Sequence, residues 1–306
     1  MDFKVLLSDF FSTFCKDSSL NPIAKKKVLS LINDFEDGNW RYTKFQNFIW
    51  DNIADTALSF RERDSLINQP LSQLSESAKK LRLTDKDSDL SKGSELSEIL
   101  LYGIMKHYYK ALPVVPKIYY KQNPNDNAKG ADSVHIVVED NDFSIWFGEA
   151  KFYNSIEDAR LGEIITSVEN SLKTDKIKKE NSIITDLQDL DLLIDDNLEL
   201  RERIKNALST RESIDDLKPK LHIPILLLHE CPITPKYDQL TSAYELEISN
   251  YHKQRAQSYF KKQINKFGNT LHNYSEISFH LILFPVPVKK DIIDEFIKIA
   301  NFHKNR

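Results

Sequence analysis

The hydrophobic pattern is clearest between residues 130 and 151. Residues 134–138 and 143–148 are β-branched and aromatic runs, separated by the acidic pair Asp140-Asn141, which is the pattern of a β-hairpin with a two-residue loop. Counting outward from that loop pairs Glu139 with Asp142, Val138 with Phe143, Ile136 with Ile145 and Val134 with Phe147. Every second pair is then apolar on both strands, so the register supports itself. Elsewhere, residues 96–112 carry apolar side chains around most of a helical circumference and predict a buried helix. A strand is expected at 114–120. Residue Ser155 is placed to cap a helix running to about 172. A continuous apolar run predicts a buried strand at 223–229, followed by a long helix over 240–267, a strand at 277–284 and a helix over 291–303. Residues 1–68 read as helices, and 70–93, rich in Ser, Asp and Lys, as a linker. Residues 173–220 read as a charged helical insertion. The division implied is a helical N-terminal region and linker over 1–88, then one α/β domain over 89–306.

Extended two residues beyond Val134 and Phe147, the hairpin register sets Asp132 opposite Glu149, on the face that also carries Lys151, because strand side chains repeat with period two. Adjacent carboxylates repel, and a cation between them resolves the conflict. Asp132, Glu149 and the main-chain carbonyl of Ala150 make an all-oxygen set suited to Mg²⁺, with Mn²⁺ as a substitute, and Lys151 is placed to orient or deprotonate a water and to offset charge at a phosphate. The chemistry expected is phosphodiester hydrolysis. A Glu-x-Lys or Asp-x-Lys triplet alone carries no weight, since Asp2/Lys4 and Asp216/Lys218 match it too. The matched register and the Gly130-Ala131-Asp132 start carry it. On the helix over 96–112, Glu98 shares a stripe with Leu101 and Met105 and is the candidate for a fourth site residue and further metal ligand. The neighbouring Glu95 is explained by the helix dipole.

Composition narrows the options. The chain has 306 residues, two cysteines, Cys15 and Cys231, with no Cys-x-x-Cys spacing, and eight histidines. Neither a disulfide framework nor a zinc ribbon is expected. No stretch reads as a signal peptide or a membrane span, so the expected location is the cytoplasm. Seven glycines include no phosphate-binding loop, so this chain is not expected to bind a nucleotide itself. A net charge of −4 leaves DNA contact to local charge. The candidates are Lys253, Arg255, Lys261, Lys262 and Lys266, interleaved with Tyr251, Tyr259 and Phe260, against the bland reading of a solvated helix face. Between Asp186 and Glu199 stand six acidic residues and no Lys or Arg, a stretch that would repel DNA and could contact a partner. By parity His135 falls on the opposite face from Asp132, where packing is expected. His229 has no matching ligand cluster.

The runs Gly93-Ser94-Glu95-Leu96-Ser97-Glu98-Ile99-Leu100-Leu101-Tyr102, Pro116-Lys117-Ile118, Lys129-Gly130-Ala131-Asp132-Ser133-Val134-His135 and Gly148-Glu149-Ala150-Lys151-Phe152-Tyr153 resemble the HamA subunit of Hachiman antiphage defence systems, within the PD-(D/E)xK nuclease superfamily. The resemblance is specific over residues 93–175 and looser from Trp40 to the C-terminus. It departs from the superfamily label in having Gly130-Ala131, and no proline, before Asp132. It implies an α/β fold with a central mixed sheet flanked by helices. It also implies metal-binding and catalytic roles for Glu98, Asp132, Glu149 and Lys151, DNA as substrate, and a superfamily 2 helicase as controlling partner. Two rivals remain: a degenerate nuclease fold serving only to bind DNA or dock a helicase, and a stand-alone restriction or repair nuclease.

Overall fold

The computed structural model describes residues 1–83, 94–120, 130–186, 194, 197–209 and 211–306. Its centre is a seven-stranded mixed sheet in the order β1-β2-β9-β8-β7-β6-β5. The strands are β1 (Lys4–Phe10), β2 (Lys26–Ile32), β5 (Leu112–Val115), β6 (Ser133–Glu139), β7 (Asp142–Tyr153), β8 (Leu221–Glu230) and β9 (Ser278–Val286), while β3 (Phe35–Glu36) and β4 (Asn39–Trp40) form a separate small ribbon. Strands β7, β8, β9 and β2 run parallel, and β1, β5 and β6 are antiparallel to their neighbours. Parallel strands are covered on both faces, which is why β8 and β9 are buried along almost their whole lengths.

Helices cover both faces. On one face lie α1 (Tyr42–Asp51), α4 (Pro70–Lys79), α5 (Ser94–His107) and α12 (Lys289–Lys304), packed on Trp146, Ala150, Phe152, Leu226, Leu228, Ile282 and Phe284. Short helices α2 (Ile53–Ala57), α3 (Phe60–Ser65) and α6 (Lys117–Tyr120) connect this layer. On the other face lie α7 (Leu161–Ser171), α8 (Thr174–Asp186), α9 (Leu198–Leu208), α10 (Ile214–Leu217) and α11 (Ser242–Phe267), over Ile145, Phe147, Ile223, Ile225, Leu227, Leu281 and Leu283.

The hairpin register is as expected. Glu139 pairs with Asp142, Val138 with Phe143, Ile136 with Ile145 and Val134 with Phe147. Asp140 and Asn141 both take positive φ, at 48° and 61°, the geometry of a two-residue turn whose twist matches the strands. The long helix, the two C-terminal strands and the last helix fall within a few residues of their predicted bounds.

Several expectations are corrected. The first 40 residues are not α-helical: β1 and β2 extend the central sheet, because β2 finds a parallel partner in β9, far away in the chain. Residues 70–79 form α4, anchored where Ser75 Oγ donates to the His303 carbonyl at 3.0 Å, and are no linker. The strand expected at 114–120 spans Leu112–Val115 and ends at Pro116, after which Lys117–Tyr120 is helical. The helix expected from Ser155 begins at Leu161. The 173–220 stretch is built into the core: Ile177, Ile184, Leu200, Ile204, Leu208 and Leu217 are buried with the sheet residues of that face. Most of the acidic 186–199 stretch, and part of the 70–93 stretch, lie outside the described residues.

Candidate active site

Strand β6 begins at Ser133, paired with Gly148, and Asp132 stands one residue before it, beyond the last pair of the hairpin. The chain is held there by its own hydrogen bonds. The Asp132 N–H donates to the Gly148 carbonyl at 2.8 Å. The Ala150 N–H donates to Asp132 Oδ2 at 3.1 Å. In an extended strand a residue's N–H and C=O point to the same side, so the Ala150 carbonyl also faces the edge beyond the start of β6, beside the Asp132 carboxylate. Lys151 Nζ lies 3.7 Å from Asp132 Oδ2. Glu149 is only 3% exposed, and its Oε2 accepts from the Ser167 hydroxyl of α7 at 2.7 Å. By parity Glu149 and Lys151 share the face of Ile145 and Phe147, the face covered by α7 and α11. Lys151 is thus brought to Asp132, while Glu149 is tied to Ser167 of α7.

Glu98 is placed differently. It is buried in α5, on the opposite face of the sheet. Leu101 packs over Gly148, where a Cβ would stand 2.8 Å from Leu101 Cδ2, and Tyr109, just past the helix end, packs on Trp146 with ring centroids 4.8 Å apart. The helix thus runs antiparallel to β7, and Glu98, one turn before Leu101, falls near the level of Ala150. Among the described residues no three His, Cys, Asp or Glu side chains are grouped to hold a metal ion, so Glu98 does not complete a three-carboxylate cage with Asp132 and Glu149. Glu95, in contrast, serves the fold, since its carboxylate accepts from the N–H groups of Arg82 and Leu83 at 2.9 and 3.0 Å.

Asp132, Glu149 and the Ala150 carbonyl, near the start of β6, are all oxygen donors. That chemistry fits a hard divalent cation such as Mg²⁺. His135 is fully buried against the Tyr102 ring, 4.4 Å between centroids, and burial lowers its pKa to about 3, so it stays neutral and packs. His229 lies against His252, Nε2 to Nε2 at 3.1 Å, and burial lowers its pKa to about 4. Cys15 and Cys231 are free thiols.

The cationic candidates lie on α11, on the same face as Glu149. Arg255 is paired with Glu157 and Asp158 at 3.1 and 3.0 Å, Lys266 with Glu169 at 2.8 Å, and Lys262 lies 3.9 Å from Asp158. Lys253 sits over the Phe14 ring at 6.0 Å. Lys261 is exposed and, with Lys16 and Arg255, lines a surface cavity of about 470 Å³. The stripe is thus partly neutralised from within, and Lys16 joins it from a segment that sequence patterning did not connect to it. Sequence reading also passed over Ser167, Lys117 and Glu180 as site residues. Ser167 carries no motif, but it lies one helix beyond Glu149 on the face that covers it.

Fold and site together define a mixed α/β protein with a seven-stranded central sheet flanked by helices, whose central hairpin carries Glu149 and Lys151, with Asp132 just before its first strand. The chain belongs to the HamA family, whose sequence model matches residues 8–300. Membership makes it a component of Hachiman antiphage defence, and the family match extends the resemblance carried by residues 93–175 over nearly the whole chain. Comparison with curated proteins gives no match. No helix among the described residues is long and apolar enough to cross a membrane.

Proposed function

We propose that this chain is a metal-dependent deoxyribonuclease, the cytoplasmic effector of its defence system, held in check by a partner helicase. The observation that supports the reading is Lys151 Nζ at 3.7 Å from Asp132 Oδ2, at the end of the hairpin that also carries Glu149. Asp132, Glu149 and the Ala150 carbonyl would hold Mg²⁺ or Mn²⁺. When bound, the cation would polarise the scissile phosphodiester and lower the pKa of a bound water. Lys151 offsets charge at the phosphate and orients the attacking water. The Ala150 N–H aims Asp132, and Ser167 aims Glu149. Lys261, Arg255 and Lys16, which line one surface cavity, would track a DNA backbone without reading bases.

Control by a separate ATPase follows from two features. An unspecific nuclease endangers its host's chromosome, and the sequence holds no nucleotide-binding loop to gate it. A partner that holds the inactive form must bind it more tightly than the active one, and by linkage DNA that engages the partner weakens that grip.

The test is DNA cleavage by the purified chain, alone and with the proposed helicase partner, with Mg²⁺ or Mn²⁺ and with EDTA. Glu149→Gln and Lys151→Ala should each lower the rate at least about a hundredfold while the fold persists, the usual loss when charge stabilisation at a reacting phosphate is removed. Undiminished cleavage by both variants would move the site away from this hairpin.

A further inference from the structure

We infer that Glu180, working with Lys117, is a positioning residue for Asp132, an inference that rests on the nuclease reading. Glu180 lies on α8 and is 3% exposed, and Lys117, at the start of α6, is 1% exposed. Glu180 Oε1 accepts from Lys117 Nζ at 2.7 Å and from the Ala131 N–H at 3.1 Å, and Oε2 accepts from the same ammonium at 2.5 Å. Ala131 is the residue immediately before Asp132. One carboxylate therefore joins the chain on both sides of residues 121–129.

Gly130 shows how closely this is built. A Cβ at that position would stand 1.7 Å from Glu180 Oε1, so any side chain there would displace the carboxylate from where it meets the Ala131 N–H. Burying an ammonium and a carboxylate is expensive, and a well-packed apolar pair of the same volume usually serves stability as well or better. Ile177 and Ile184 on the same helix already supply apolar packing. What the carboxylate adds, and an apolar side chain cannot, is an acceptor for the N–H that precedes the metal-binding aspartate. With Ala131 fixed, the Asp132 N–H on the Gly148 carbonyl and its carboxylate on the Ala150 N–H complete the orientation. Glu180 touches no reacting atom in this scheme and acts through Asp132.

The experiment uses the full chain and three variants: Glu180→Ala, Gly130→Ala, and the double variant Lys117→Met with Glu180→Gln, which removes both charges but keeps an amide oxygen for the Ala131 N–H. Folding is followed by circular dichroism, Mn²⁺ affinity by titration without DNA, and amide exchange at Ala131 and Asp132 in the metal-free chain. We expect Glu180→Ala and Gly130→Ala to weaken Mn²⁺ binding about tenfold to a hundredfold, the usual effect of removing a partner of a metal ligand, and to lose exchange protection at Ala131. The double variant should retain both. Folded Glu180→Ala or Gly130→Ala with parental Mn²⁺ affinity overturns the inference, and so does a folded double variant as weak as Glu180→Ala. If the parent binds no Mn²⁺, the nuclease reading fails, and the exchange data then decide the clamp alone: protection at Ala131 and Asp132 unchanged by Glu180→Ala overturns it.

Discussion

The Ser167 hydroxyl donates to Glu149 Oε2 at 2.7 Å, which ties helix α7 to the central hairpin at a residue that is almost wholly buried. A buried carboxylate that loses a donor is less firmly held and more costly to keep charged. Ser167→Ala is expected to lower cleavage about tenfold and to raise the Mg²⁺ concentration needed for half-maximal rate, with thermal stability changed by only about 1 kcal/mol. Titrating Mg²⁺ against rate for both proteins checks this, and an unaltered metal requirement would reduce Ser167 to a bystander.

Gly148 is the point where α5 meets the sheet. A Cβ there would stand 2.2 Å from Ser133 Oγ and 2.8 Å from Leu101 Cδ2, so Gly148→Ala forces both side chains to shift. Overpacking of this kind typically costs about 1–3 kcal/mol. Denaturant unfolding should show a lower midpoint, and cleavage should fall as well, because Asp132 and Glu149 flank the displaced residue. A variant of parental stability would mean that Leu101 can rotate away freely.

Charge on α11 should appear as salt dependence. Lys261→Ala with Lys262→Ala is expected to weaken DNA binding equally for unrelated sequences and to flatten the slope of log affinity against log salt by about 1 for each phosphate no longer neutralised. Lys262 has Asp158 at 3.9 Å and Lys261 is exposed, so Lys261 should account for most of the effect. Binding measured at several salt concentrations decides it: a slope that does not move returns the helix to a solvated face.

Buried histidines set a pH dependence. Burial lowers the pKa of His135 to about 3 and those of His222 and His229 to about 4, and holds His252 and His280 well below the usual value of 6.5. Above pH 6.5 both folded and unfolded chains carry these rings neutral, and no stability depends on them. As pH falls from 6.5 toward 4, the unfolded chain takes up protons that the native chain refuses, so stability falls by up to about 1.4 kcal/mol per pH unit for each ring. The midpoint of urea unfolding should therefore drop between pH 7 and pH 5, before the carboxylates titrate. Equal midpoints at the two values would contradict the assigned burial.

How far the sequence could be read depends on how local each relationship is. The hairpin was legible because strand side chains alternate with period two, and Asp140-Asn141 supplies a turn that needs no distant partner. That arithmetic alone puts Glu149 and Lys151 on one face of β7. The N-terminal strands were not legible: the apolar residues of Lys26–Ile32 gain their meaning from parallel pairing with Ser278–Val286, and a run of that length fits a buried helix equally well. Parity within a strand is local, whereas the face on which a helix packs is not, so Glu98 could be placed on its stripe but not across the sheet from Glu149. Glu180 sits in a helix rich in Lys and Glu and reads there as one more exposed charge, until the fold brings Lys117 and the Ala131 N–H to its carboxylate. Sequence by itself determined the hairpin and its register. Only the tertiary structure decided which buried groups hold its end in place, because their partners meet across long stretches of chain.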